Sequence, residues 1–193
     1  MQIILGSASP YRGELLARLG LPFLQRAAQV DETPIAGEHP AALAQRLAAA
    51  KAREIGAGCA GAGAIVIGSD QTAECGDVTL GKPGNFAKAR AQLRYLSGRA
   101  AHFHTAVALL DTRSDRLLCD LAVTEVRFRP LSEAEIDAYL HRESPYDCAG
   151  SFKAEGLGIA LFDTVHSDDP TALIGLPLIR VRRLLGELGV DVL

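Results

Sequence analysis

The feature that most limits how this chain can fold is a short unbroken apolar run, Ala64-Ile65-Val66-Ile67-Gly68. Continuous hydrophobicity over so few residues marks a strand covered on both faces, as in sheets with helices on either side. A second run, Ile3-Ile4-Leu5, leads through Gly6-Ser7-Ala8-Ser9-Pro10-Tyr11-Arg12 into Leu15, Leu16 and Leu19 at helical spacing. It reads as a strand turning directly into a helix, with Ser9 as N-cap, Pro10 at N1 and Gly20 just past the end. The class is α/β.

The alternation continues along the chain. Pro22 to Gln29 is expected to form a strand that ends at Val30-Asp31-Glu32-Thr33-Pro34. Pro40 opens a helix with Leu43, Leu47 and Ala50 on one face and Lys51 directly after, and Gly56 to Gly63 reads as a Gly/Ala-rich loop. Ser69-Asp70-Gln71 is expected at the end of the buried strand, followed by a hairpin at Gly76-Asp77 and then Gly81-Lys82-Pro83. Asn85 can cap a helix carrying Ala89, Leu93 and Leu96, closed by Ser97-Gly98. Two long strands, Ala101 to Leu110 and Leu117 to Phe128, flank a polar turn, and Ser132-Glu133-Ala134-Glu135 is a capping box. A Gly-rich loop, Asp147 to Gly158, precedes an expected strand at Ile159 to Phe162, and Pro177 opens a last amphipathic helix.

At 193 residues the chain suffices for one generous α/β domain or two small lobes around a cleft. Its net charge of −3 provides no global basic field, so nucleic acid and membrane surfaces are not expected partners. Cys59, Cys75, Cys119 and Cys148 are too scattered for a zinc knuckle or a disulfide framework. With no signal peptide and no apolar run approaching a membrane span, a reduced cytoplasmic compartment is the simplest expectation.

Chemistry gathers at the junctions. A helix start offers unpaired N–H groups and the positive end of the helix dipole, so Ser7, Ser9 and Arg12 at that turn suit a phosphate. The plain alternative is a well-capped turn with a surface arginine. Asp70 follows a buried strand, where open α/β sheets build sites, although a strand-end aspartate also caps turns. Asp31-Glu32 adds a second acidic locus. Carboxylates without a Cys/His cluster suit a hard cation such as magnesium, which keeps waters and bridges to phosphate oxygens. Arg12, Lys51, Lys82 and Lys153 supply local cations, unless they are only solvated surface charge. Gly81-Lys82-Pro83 lacks Walker A spacing, and no G-x-S-x-G elbow appears. His102 and His104 share a strand face, but no third ligand lies nearby in sequence, so sheet packing explains them better than a metal.

Five segments together resemble the Maf family of nucleoside triphosphate pyrophosphatases. They are Ser7-Ala8-Ser9-Pro10-Tyr11-Arg12, Val30-Asp31-Glu32-Thr33-Pro34, Leu47-Ala48-Ala49-Ala50-Lys51-Ala52, Ile67-Gly68-Ser69-Asp70-Gln71 and Gly81-Lys82-Pro83, in matching order and spacing. The stretches Asp147 to Gly158 and Asp169 to Leu178 are similar to the subgroup acting on 7-methyl-GTP rather than to the dTTP/UTP subgroup. One departure is Gly13, where that subgroup often carries a second arginine; its loss would either weaken phosphate binding or simply remove a surface charge.

The resemblance implies an elongated mixed sheet flanked by helices, with two lobes around a central cleft in a single Maf/ITPase-like domain over 1–193. It implies hydrolysis of the α–β phosphoanhydride to a nucleoside monophosphate and diphosphate, with magnesium or manganese, in a homodimer. Carried over by position, Asp70 would be the general base, Glu32 with Asp70 would hold the metal, and Ser7, Arg12, Lys51 and Lys82 would bind the triphosphate. Asp70 acting only as metal ligand stays equally open. Tyr11, Gln71 and Glu155 match the specificity positions. A 7-methylated guanine carries delocalised positive charge, which favours stacking on the Tyr11 ring, while Glu155 can accept from the base's N1–H and exocyclic amine. Core packing of Tyr11 and loop capping by Glu155 are the alternative. The rival functions are a pyrophosphatase of broader or pyrimidine specificity and a nucleotide-binding regulator of septum formation without turnover.

Overall fold

The computed structural model describes residues 2–59, 61 and 63–193. Its strands are β1 (Gln2–Gly6), β2 (Phe23–Arg26), β3 (Ala64–Cys75), β4 (Val78–Leu80), β5 (Ala100–Asp111), β6 (Arg116–Phe128) and β7 (Phe162–His166). Its α-helices are α1 (Pro10–Ala17), α2 (Pro40–Ala57), α3 (Phe86–Leu96), α4 (Glu133–Glu143) and α5 (Leu178–Glu187). They form a seven-stranded sheet in the order β2-β1-β3-β5-β6-β7, with β4 also paired to β3. β1 pairs in parallel with β2 and β3, whereas β3–β4 and β6–β7 are antiparallel.

The strand-to-helix turn forms as the sequence predicts: Pro10 starts α1, and the Ser9 side chain accepts the Arg12 N–H. Asn85 caps α3, and both halves of the Ser132–Glu135 capping box are made on α4. Three expectations need correction. α2 continues through Lys51 to Ala57, so Gly56 is helical rather than part of a loop; a Cβ there would collide with the Leu110 side chain. β3 does not stop at Gly68 but runs to Cys75, placing Asp70 inside the strand, because Ala73, Glu74 and Cys75 pair with β4. The expected strand at Ile159 to Phe162 is instead a 3₁₀ turn (Leu157–Leu161), and the strand follows it as β7.

The chain divides into two compact units, Met1–Gln71 with His104–Ala122 and Asp169–Leu193, and Thr72–Phe103 with Val123–Asp168. In the first unit β1 and the first half of β3 are covered on both faces, as their apolar runs demand. Ile3, Leu5, Ile65 and Ile67 pack with Leu15 and Leu16 of α1 and Val181, Leu184 and Leu185 of α5. Ile4 and Val66, one residue out of phase, pack with Ala44, Ala48, Ala52 and Ile55 of α2. In the second unit Phe152 meets Phe103, Phe128 and Phe162 edge-on, at centroid distances of 5.2, 5.7 and 4.9 Å. Arg90 and Arg94 of α3 pair with Glu133 and Asp137 of α4. No α-helix among the described residues is long and apolar enough to cross a membrane.

Candidate active site

Two paired glycines bring the first catalytic candidates together. Gly6 and Gly68 stand opposite each other on β1 and β3, on the face that receives α2. A Cβ on Gly68 would run into the Ala48 carbonyl and lie 2.7 Å from the Ala52 nitrogen, and one on Gly6 would lie 3.4 Å from the Lys51 carbonyl. The helix backbone therefore rests directly on the sheet, and this seat puts Lys51, one helical position before Ala52, within reach of Asp70, two residues beyond Gly68.

Lys51 is buried in mid-helix rather than free at a junction, and its ammonium bridges two carboxylates. Its Nζ lies 2.7 Å from Asp70 Oδ1 and 2.6 Å from Glu32 Oε1. Asp70 is 8 % exposed, whereas Glu32 lies on the exposed loop before α2. Burial raises the Asp70 pKa above the ordinary aspartate value, opposed first by Lys51 and then by Arg12. A carboxylate so placed is a stronger base than a solvated one, and its neighbouring cations favour the ionised form.

Arg12 is fixed from the other end of the chain. Its Nε donates to the Gly175 carbonyl at 2.8 Å, and its Nη1 reaches Ser7 Oγ at 3.4 Å. Burial lowers the Arg12 pKa while Asp70 and Glu32 raise it, so the guanidinium shares their electrostatic neighbourhood. Ser69 Oγ also donates to Gly175 O, at 3.1 Å, and to Ala106 O. The Gly175 loop is anchored by Asp169, which is fully buried and accepts from Thr171 Oγ1 and from the N–H groups of Thr171, Ile179 and Arg180. Gln71 Nε2 donates to Thr105 Oγ1 and to the carbonyls of Ala172 and Leu173, tying its side chain to the same loop. Ser7 is buried and Tyr11 half-buried, in the turn and first helical turn where the sequence places them.

At Gly13, the departure from the subgroup, the neighbouring side chain is Gln25 of β2. Gly13 is buried, and a Cβ there would lie 2.5 Å from Gln25 Oε1. Gln25 Nε2 donates to the Ser7 and Ser9 carbonyls, both at 2.9 Å, and so braces the turn from β2. A side chain at position 13 would have to displace this brace.

Glu32 rests on a clip that sequence reading did not single out. Arg46 grips Glu38 with two hydrogen bonds of 2.7 and 2.8 Å and donates to the Thr33 carbonyl, while Glu38 accepts the Ile35 N–H. The signal was a basic residue at a polar position of α2, which alone is indistinguishable from solvated charge. Arg46, and then the Ile35 N–H, hold the Glu38 pKa down to about 2, against an ordinary 4.5. A depressed carboxylate stabilises the fold above its unfolded pKa and loses that contribution as pH falls through its folded one. The stability advantage of the wild type over Glu38→Gln should therefore be complete above about 4.5 and shrink as pH falls toward about 2. Urea denaturation of both proteins across that window measures it.

The remaining candidates belong to the second unit. Lys82 is exposed in the loop after β4, and Glu155 is exposed in the Gly-rich segment. Lys153 donates its N–H to the Tyr139 hydroxyl, and Glu143 accepts the Leu157 N–H. Of the two strand histidines, His102 is half-buried with Nε2 3.4 Å from Glu125, and the buried His104, of the first unit, meets the His39 ring edge-on at 5.7 Å.

The model of the family described as Maf-like protein matches residues 2–188. This chain belongs to the Maf family. Its segments Ser7 to Arg12, Val30 to Pro34, Leu47 to Ala52 and Ile67 to Gln71 are the ones that meet in the first unit. The protein named 7-methyl-GTP pyrophosphatase of Albidiferax ferrireducens is 54 % identical over 192 residues, covering 100 % of this chain and 96 % of that one. Its namesake in Cupriavidus metallidurans is 55 % identical over 187 residues, covering 97 % and 93 %. Among solved structures, the Ham1 protein of Staphylococcus aureus aligns at a TM-score of 0.44 and 13 % identity over 66 % of this chain and 72 % of its own, a weak likeness.

Proposed function

We propose that this protein is a nucleoside triphosphate pyrophosphatase that hydrolyses 7-methyl-GTP to 7-methyl-GMP and diphosphate. The observation that carries the chemistry is the buried Asp70 carboxylate, hydrogen-bonded to the Lys51 ammonium and sharing the electrostatic neighbourhood of Arg12. The names of its close relatives support the base and the reaction.

Asp70 takes a proton from the attacking water as oxygen bonds to the α-phosphorus, and the bond to the β-phosphate oxygen breaks. Diphosphate departs with the electron pair. Arg12, with its Nε anchored on Gly175, presents its remaining N–H groups to phosphate oxygens, and Ser7 and the N–H groups at the start of α1 add donors. Lys51 leaves its bridge for the triphosphate, and the family pattern adds Lys82 to the phosphate-binding residues. These groups act by positioning and by stabilising charge on oxygens.

The donor set also fits a divalent cation. Glu32 and Asp70 offer hard oxygens close enough to share one ammonium, so they can hold magnesium or manganese, with water and phosphate completing the shell. Bound there, the ion would neutralise phosphate charge and lower the pKa of a coordinated water. A further reason favours it: Arg12 and Lys51 are matched by Asp70 and Glu32, so these four side chains bring no net positive charge to a polyanionic substrate.

By the family pattern Tyr11 and Glu155 are the residues that discriminate the base, the ring through stacking on its delocalised positive charge and the carboxylate by accepting hydrogen bonds. The family kinship extends the reading to a homodimer acting in the cytoplasm. The test is incubation with a panel of triphosphates and magnesium, with product analysis. 7-Methyl-GTP should yield 7-methyl-GMP and diphosphate in clear preference to GTP, and Tyr11→Ala or Glu155→Gln should narrow that preference. Equal use of GTP or pyrimidine triphosphates would replace the reading with a broad-range enzyme, and binding without products with a regulator.

A further inference from the structure

Ser151 is a buried serine in a backbone conformation that favours glycine. Its φ is +63°, directly after Gly150 at +78°, and it is fully buried. Such a conformation is strained for a residue that carries a Cβ. Glycine would fit here without strain, so the hydroxyl is what serine adds. That hydroxyl donates to Gln92 Oε1 at 2.6 Å, and the other end of the same amide, Gln92 Nε2, donates to the Gly81 carbonyl at 3.0 Å.

One half-buried side chain on α3 thereby joins two loops of the second unit. The first carries Lys82, next to Gly81; the second carries Glu155, four residues beyond Ser151. We propose that Gln92 is a positioning residue for substrate recognition, setting the separation of the Lys82 ammonium and the Glu155 carboxylate through these two hydrogen bonds. The inference rests on the reading of Lys82 and Glu155 given above. A phosphate-binding cation and a base-reading carboxylate serve one nucleotide only at a fixed distance, and both are exposed side chains on loops. A glutamine amide suits the task because its planar group donates at one end and accepts at the other. A separate backbone tie, Gly84 N–H to the Tyr146 carbonyl at 2.9 Å, joins the chain near the first loop to the residue before the Gly-rich segment.

The experiment compares the wild type with Gln92→Met, which keeps the length without either hydrogen bond, and Gln92→Glu, which keeps an acceptor for Ser151 and loses the donor to Gly81. Lys82→Ala and Glu155→Gln are run beside them. KM and kcat for 7-methyl-GTP and GTP are measured, with melting temperature. Loss of the tie should raise KM for 7-methyl-GTP about tenfold in Gln92→Met, and less in Gln92→Glu, leave kcat within about threefold, and narrow the preference over GTP. A purely structural role would lower the melting temperature without moving the preference. The inference is overturned if KM and preference stay within twofold in both Gln92 variants while Lys82→Ala and Glu155→Gln are impaired. If those two variants also behave as wild type, the assignment of Lys82 and Glu155 falls, and the inference with it. Should Gln92→Met not fold, Ser151→Gly carries the test: it relieves the backbone and removes the hydroxyl, so a narrowed preference supports the tie and an unchanged one refutes it.

Discussion

Replacing Asp70 by asparagine should lower kcat for 7-methyl-GTP by roughly 10²- to 10⁴-fold, the range expected when a positioned general base is lost. Asparagine keeps the shape of the side chain within β3 and removes the charge that pairs with Lys51 at 2.7 Å. Glu32 remains at 2.6 Å from the same ammonium, so Lys51 is not left without a counter-charge and the fold should persist. Nucleotide binding measured by calorimetry separates the two roles open to this carboxylate. If Asp70 is the base, turnover collapses while the magnesium–nucleotide complex still binds within a few fold of wild type. If it serves only to hold the metal, manganese affinity and turnover fall together, and excess metal restores part of the rate.

The second large effect concerns stability. Gly68→Ala should destabilise the protein by about 1–3 kcal/mol, the usual cost of forcing a group into a packed interior, or more. The added methyl would meet the Ala48 carbonyl and the Ala52 nitrogen, which are backbone atoms of α2 and cannot rotate away. For a chain of this size such a loss lowers the melting temperature by a few degrees per kcal/mol, which calorimetry resolves. Because relief requires α2 to lift, the Lys51 bridge should lengthen as well, so catalytic efficiency should drop beyond the fraction unfolded. Gly6→Ala offers a graded control: its methyl meets Ile55 Cγ1 at 3.3 Å and the Lys51 carbonyl at 3.4 Å, a tight approach rather than a collision.

Local chemistry made much of this molecule readable from its residues. Ser9-Pro10, Asn85 and Ser132–Glu135 fix helix starts through their own side chains and backbone, so those boundaries needed no tertiary knowledge. The apolar runs at Ile3 and Ala64 announced strands covered on both sides, and the alternation of Ile3, Leu5 against Ile4 shows why: each face meets a different helix. Asp70, Glu32, Lys51 and Arg12 were visible as chemical types, and the approach of Lys51 to Asp70 follows from the pairing of Gly6 with Gly68. What stayed hidden depended on contacts far apart in sequence. The extension of β3 past Gly68 is decided by β4, not by the residues of β3 alone. The Gly13–Gln25 exclusion, the Arg46–Glu38 clip and the Gln92 amide all use ordinary polar residues whose partners cannot be read from spacing.

The grip of the Gly175 carbonyl on Arg12 spans 163 positions of the chain. During synthesis Arg12 therefore leaves the ribosome 163 residues ahead of the carbonyl that secures its guanidinium. The geometry around Arg12 is thus a long-range property of the chain, complete only when the segment around Gly175 is folded against the one around Ser7.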